Sequence, residues 1–168
     1  MNMSTIRRIR PGEGRPLREV RLRALRSDPD SFAASYDQAS SRDDRIWEDI
    51  AVGAASGDDE TIFVIEADGG FAGMVGAFAR DDEPATRNLY GMWVAPEVRG
   101  SGLGEGLVDA IIEWSRTVGA EEVKLWVVES NTPAVRLYEK TGFIPTGEAQ
   151  PLPSNPKLTD TRMSRSIA

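Results

Sequence analysis

Between Val94 and Leu107 the chain reads VAPEVRGSGLGEGL, a turn that carries Gly100, Gly102, Gly104 and Gly106 beside a single arginine, Arg99. A glycine-rich turn that opens a helix leaves several backbone N–H groups without partners, aimed outward at the positive end of the helix dipole. That is chemistry suited to a phosphate. The same glycines also suit a plain strand-to-helix turn. Two familiar phosphate loops do not match. A Walker loop ends in Gly-Lys-Ser/Thr, whereas Leu103-Gly104-Glu105 has no lysine, and a dinucleotide fingerprint needs a third glycine where Glu105 stands.

The chain has no histidine and no cysteine. Disulfides, thiolate metal sites, cysteine nucleophiles and every Ser-His or metal-His arrangement are thereby excluded. Acid–base work must fall to carboxylates, tyrosine, lysine or the substrate itself. A net charge of -7 argues against general nucleic-acid binding and leans toward a cationic partner, while serving solubility as well. The 168 residues fit one domain, 1–168. No apolar run resembles a signal peptide or approaches the roughly 20 residues of a membrane span, so a cytoplasmic protein without membrane attachment is expected.

The elements that must position the turn follow from periodicity. STIRRIR alternates as a strand and stops at Arg10-Pro11-Gly12. RPLREVRLRALRSDP has helical spacing, as does RDDRIWEDIAV, with Ile46, Trp47 and Ile50 on one side. The segment between them reads as a loop bearing Phe32 and Tyr36. ETIFVIEAD, GFAGMVGAFARD and TRNLYGMWVAP read as an antiparallel meander, with Gly69-Gly70 as the first hairpin turn. The spacing predicts a helix over 104–118, then a buried strand in EEVKLWVVES; a strand, helix, strand unit of this length makes its two strands parallel neighbours. TPAVRLYEKTGF predicts a helix with Thr132 as N-cap, Pro133 in its first turn and Gly142 as its stop. The remainder reads as two strands around the proline-rich PLPSNPKL.

In order and motifs the whole chain resembles the GNAT superfamily of acyl-CoA-dependent N-acetyltransferases. VAPEVRGSGLGEGL is similar to that family's pyrophosphate loop, Arg/Gln-x-x-Gly-x-Gly/Ala, and VESNTPAVRLYEKTGF to its later strand-to-helix segment. The resemblance implies an α/β (α+β) fold with a mixed central sheet of about seven strands, about four flanking helices and a V-shaped splay between the fourth and fifth strands. It also implies acetyl-CoA as cosubstrate and no metal.

The likeness assigns coenzyme A binding to the loop residues Arg99, Gly100, Ser101, Gly102, Leu103, Gly104 and Glu105, with the Glu105 side chain turned away. Arg99 also suits a surface pair with Glu97 or Glu105, the lesser reading. The pantetheine arm would lie along Met92, Trp93 and Val94, which by themselves read as an ordinary central strand. Asn131 and Ala134 would flank the arm, although Asn131 is also a good capping residue. Tyr138 would protonate the departing thiolate, since a phenol holds its proton at neutral pH; on periodicity alone it is a core residue. The base is less plain. Trp126 stands where some relatives have a glutamate, and Glu129, two residues before Asn131, is the leading carboxylate on the assumption that the strand continues through both. The resemblance points to transfer of acetyl to a primary amine of a small molecule, with a protein N-terminus or lysine, or an acyl-CoA sensor, as the other readings. Phe32, Tyr36 and PLPSNPKL would wall the acceptor site, and a homodimer is common among proteins of this resemblance.

Overall fold

The computed structural model describes residues 3–168; Met1 and Asn2, at the start of the expected 1–168 domain, lie outside the described residues. Its centre is a seven-stranded sheet in the order β1-β2-β3-β4-β5-β7-β6. The strands are β1 (Thr5–Arg8), β2 (Glu60–Ala67), β3 (Gly70–Arg80), β4 (Glu83–Val94), β5 (Glu122–Val128), β6 (Ile144–Leu152) and β7 (Asn155–Ser166). Five helices accompany them: α1 (Gly14–Ser27), α2 (Tyr36–Ser40), α3 (Asp44–Ala55), α4 (Leu103–Thr117) and α5 (Thr132–Lys140). All strand neighbours are antiparallel except β4 and β5, the parallel pair joined through α4.

Alternation along β4 sorts the helices onto two faces. The Arg23 guanidinium of α1 lies 5.3 Å over the Trp93 ring, whereas Met92 and Val94 touch the Gly104 position of α4. Consecutive strand residues point to opposite faces, so α1 and α4 cover opposite sides of the sheet. Each brings an apolar stripe to the core: Leu17, Val20, Ala24 and Leu25 from α1, and Leu107, Val108, Ile111 and Trp114 from α4, all buried.

Where the structure departs from the periodicity, local chemistry explains it. The first hairpin turns on Asp68 and Gly69, at φ 52° and 77°, with Ala67 paired to Gly70, rather than on Gly69-Gly70. A two-residue turn of this hand needs positive φ at both central positions, which aspartate tolerates. The expected loop around Phe32 contains a one-turn 3-10 helix (Pro29–Ser31) and α2, started by a reciprocal capping box between Ser35 and Gln38. On α3 the buried stripe is Trp47, Ala51 and Ala54, while Ile46 is exposed; Trp47 anchors the helix and the alanines allow it to approach α1. The N-cap of α5 is Asn131, one residue before the expected Thr132. The proline-rich segment is mostly strand, with Pro151 in β6 and Pro156 in β7 on either side of a short turn. Edge strand β6 has neighbours on one side only, so a proline there breaks no second ladder.

The sheet opens in the middle. β4 and β5 are paired from Thr86↔Glu122 to Leu89↔Leu125 and no further, although β4 continues to Val94 beside β3 and β5 to Val128 beside β7. At the parting, Met74 pairs with Trp93 and Gly76 with Tyr90, which leaves Gly91 and Met92 together opposite Val75. This is a β-bulge, with Gly91 at φ 65°. A bulge adds twist and bends its strand, which turns β4 away from β5.

Candidate active site

One cleft, of about 490 Å³, enters the opening from the α4 side. Met92, Trp93 and Val94 line it from β4, and Arg99, Gly100 and Gly104 from the turn. Asn131 and Ala134 close it from α5. Ser101, Gly102, Leu103 and Glu105 complete the turn without lining the cleft. Gly100 and Gly102 sit at φ 79° and 82°, a conformation that favours glycine. Gly102 is the N-cap of α4 and offers no side chain to the first turn, so the N–H groups of Leu103, Gly104 and Glu105 lack an intrahelical acceptor. Such a terminus can hold an oxyanion such as a diphosphate.

The side chains around the turn are committed elsewhere. Arg99 Nε donates to the Val94 carbonyl at 2.8 Å and Nη2 reaches Asp28 at 3.4 Å, a carboxylate that also accepts from Trp93 Nε1 at 2.7 Å. The carboxylates expected to compete for Arg99 have other partners: Glu97 binds Arg23 and Glu105 binds Lys140, each at 2.7 Å. Ser101 Oγ donates to the Val98 carbonyl. Asn131 caps α5 through its Oδ1, which accepts from Ala134 N at 3.4 Å, and its Nδ2 donates to Ser31 Oγ at 3.3 Å, so it ties the cleft wall to the segment after α1.

At the bottom of the opening lies a small cavity of about 60 Å³, walled by Gly91, Met92, Val128, Asn131 and Tyr138 among others. It shares Met92, Asn131 and Ala134 with the cleft. Tyr138 is buried, packed edge-on against Phe143 at 5.8 Å, and burial raises its phenol well above the ordinary value. It therefore stays protonated throughout the neutral range and can serve as a proton donor. Glu129 is not brought here. β5 ends at Val128, so the alternation expected to align Glu129 with Asn131 does not extend to them; Glu129 is exposed and lines neither the cleft nor either cavity.

A larger cavity of about 470 Å³ lies on the α1 side. It shares Leu89, Tyr90, Gly91 and Trp126 with the small one, so the small cavity adjoins both large spaces, which also share Ser31 and Phe32 in their walls. Phe32 lines it as expected, together with Leu152 at the end of β6; Tyr36 instead accepts from Arg26 Nη2 at 2.5 Å away from the cavity. Periodicity did not single out its charged wall, formed by Arg21, Arg42, Arg80, Arg162 and Asp160. Asp160 is buried, and burial raises its carboxyl above the ordinary range, partly countered by a hydrogen bond from Gln150. Gly91 carried a readable signal, an isolated glycine inside a strand pattern. The charged residues carried none, because they are dispersed between α1 and β7.

The mixed sheet parts between two parallel strands, with an uncapped helix start on one side and a second cavity on the other, so ligands have room on both sides of one opening. A family model described as Acetyltransferase (GNAT) family matches residues 21–143. The chain belongs to the GNAT family of acetyltransferases. The mycothiol acetyltransferase of Thermobispora bispora is 32% identical over 128 residues, 74% of this chain and 40% of the relative, and that of Beutenbergia cavernae is 28% identical over 126 residues, 75% and 39%. The chain thus spans about two fifths of the length of these relatives. Among solved structures, a GNAT acetyltransferase from Streptococcus pneumoniae superposes with a TM-score of 0.83 at 22% identity, over 99% of this chain and 100% of that one. The spermidine N-acetyltransferase of Vibrio cholerae, in complex with CoA and spermine, superposes with a TM-score of 0.75 at 19% identity, over 98% and 95%.

Proposed function

We propose that the protein transfers the acetyl group of acetyl-CoA to a primary amine of a small molecule by direct attack in a ternary complex. The observation that carries this reading is the small cavity at Gly91 and Tyr138, which adjoins both the cleft beside the uncapped start of α4 and the cavity on the α1 side. In this reading the diphosphate of the cosubstrate rests on the N–H groups of the turn from Gly100 to Glu105, flanked by Arg99, and the arm follows Met92, Trp93 and Val94 where β4 has no β5 partner. The amine enters from the other side. Its nitrogen forms a bond to the thioester carbonyl carbon, the C–S bond breaks, and the thiolate takes the proton of the Tyr138 phenol while the amine gives up one proton to solvent, from which the phenolate regains one as the products leave.

The volume of the acceptor cavity, about 470 Å³, suits a small molecule rather than a protein chain. The CoA held by the Vibrio cholerae neighbour agrees with a coenzyme in the cleft. Free-thiol release from acetyl-CoA, followed with wild type and Tyr138→Phe, tests the assignment. The variant is expected to lose about 10²–10⁴ in kcat while keeping its affinity for acetyl-CoA. Unchanged turnover would remove Tyr138 from the acid role, and cofactor binding without turnover of any amine by wild type would leave an acyl-CoA sensor.

A further inference from the structure

Although the chain carries a net charge of -7, the acceptor cavity is lined by Arg21, Arg42, Arg80 and Arg162 against one carboxylate, Asp160. Two of these arginines have charged or polar partners, although Nε of Arg162 is itself buried without a hydrogen-bond partner. Arg80 pairs with Asp82 at 3.0 Å, and Arg162 donates to Asn88 Oδ1 at 3.2 Å and lies 3.9 Å from Glu148. Arg21 and Arg42 form no ion pair among the described residues, and Nη1 of Arg21 is buried without any hydrogen-bond partner. Both are held in place by aromatic faces instead: the Arg21 guanidinium stands 4.8 Å from the Phe32 ring centre and that of Arg42 stands 5.6 Å from Trp47. Burial lowers the Arg21 pKa, and although Tyr90 opposes this, the charge of Arg42, which lines the same cavity, adds to it. A buried cation beside a like charge, with an unsatisfied donor, is unfavourable in the free protein. An oxyanion between them would satisfy both.

The position of Arg21 sharpens the chemistry. Its Nη1 lies 3.3 Å from the point where a Cβ on Gly91 would sit. That is the bulge at which the sheet parts, and Gly91 lines the same small cavity as Tyr138. We infer that the acceptor is an amine bearing a carboxylate or phosphate-type oxyanion only a few atoms from its nitrogen, held by Arg21 and Arg42 in this cavity; the inference rests on the acetyl-transfer reading above. Asp160 on β7 supplies the negative group for the ammonium of such a zwitterion before it loses its proton. A polyamine, by contrast, would meet the unpaired Arg21 guanidinium beside Gly91 and that of Arg42 in the same cavity.

The test measures free-thiol release from acetyl-CoA by wild type with L-amino acids, their amides, aminoalkylphosphonates and spermidine, beside calorimetric binding of acetyl-CoA alone. Free acids are expected to be acetylated, with their amides reduced about ten- to a hundredfold in kcat/KM, the loss that follows from one charged hydrogen-bonding group. The ratio of carboxylate to phosphonate substrates identifies the oxyanion. Arg21→Gln and Arg42→Gln are each expected to raise KM for the oxyanion amine by a comparable factor and to leave the acetyl-CoA Kd unchanged. Arg42 is exposed, so its variant gives the answer even where Arg21→Gln fails to fold. Amides or spermidine used as well as free acids, an unchanged KM in Arg42→Gln, or acetyl-CoA binding without turnover of any oxyanion amine would overturn the inference. Failure of wild type to bind acetyl-CoA would instead overturn the acetyl-transfer reading beneath it.

Discussion

The cleft on the α4 side and the cavity on the α1 side share Ser31 and Phe32 in their walls, enclose similar volumes, and are built in opposite ways. The polar donors of the first are backbone groups at the start of α4, and its side chains are largely engaged with one another, as in the Trp93, Asp28 and Arg99 cluster. The second presents charged side chains, two of them unpaired, on an aromatic and aliphatic lining. Main-chain donors in fixed geometry suit a ligand part common to many reactions, such as a coenzyme diphosphate. Side chains, which change without altering the fold, suit the part that differs from one substrate to another. The contrast also shows why whole-chain charge misleads: a strongly acidic chain can hold a basic pocket.

The contrast breaks most visibly at Gly104. A methyl there would meet Leu137 Cδ2 at 3.5 Å and Met92 Cε at 3.6 Å, ordinary contact distances, so the protein itself does not require glycine at this position. Gly104→Ala is therefore expected to keep or raise the melting temperature, since alanine is the better helix former, yet to weaken acetyl-CoA binding about tenfold by standing where the diphosphate approaches the main chain. Calorimetric titration with a parallel melting curve checks both halves. Unchanged affinity would show that the backbone on this side is not the cradle.

A smaller effect is expected on the other side, at Asp160. Burial raises its folded-state pKa above the unfolded value, so the folded chain holds this proton more tightly than the unfolded chain does. Stability from this group consequently declines as pH rises from the unfolded value through the raised folded one. Asp160→Asn should raise the melting temperature at pH 7 by about 1–3 °C, with the gain vanishing below roughly pH 4, where both states are protonated. A melting temperature that falls at pH 7 would mean that the carboxylate is favourably paired in the folded protein.

The same contrast explains what was legible in the sequence. The turn from Arg99 to Glu105 and the α5 segment from Asn131 to Tyr138 are contiguous, and each carries its signal in residue type and spacing: bare glycines, a cap, a proline in the first turn. The strands and long helices were legible for the same local reason. The wall of the α1-side cavity joins Arg21, Arg42, Asp160 and Arg162, brought together because β7 inserts between β5 and β6 while α1 and α3 pack over the same face. No spacing along the chain encodes that meeting. Glu129 was singled out by assuming that β5 runs through Asn131; the strand stops at Val128, and beyond a strand's end its alternation no longer fixes which face a side chain takes.

The central claim, that the main chain at the start of α4 binds a coenzyme diphosphate, is tested most directly by calorimetric titration of wild type with acetyl-CoA and with acetyl-pantetheine, which lacks the diphosphate and nucleotide. The account predicts saturable binding of acetyl-CoA and a loss of about a hundredfold or more for acetyl-pantetheine, since several charge-assisted N–H contacts disappear together. Equal affinity for the two compounds, or no binding of acetyl-CoA by the folded protein, would contradict it.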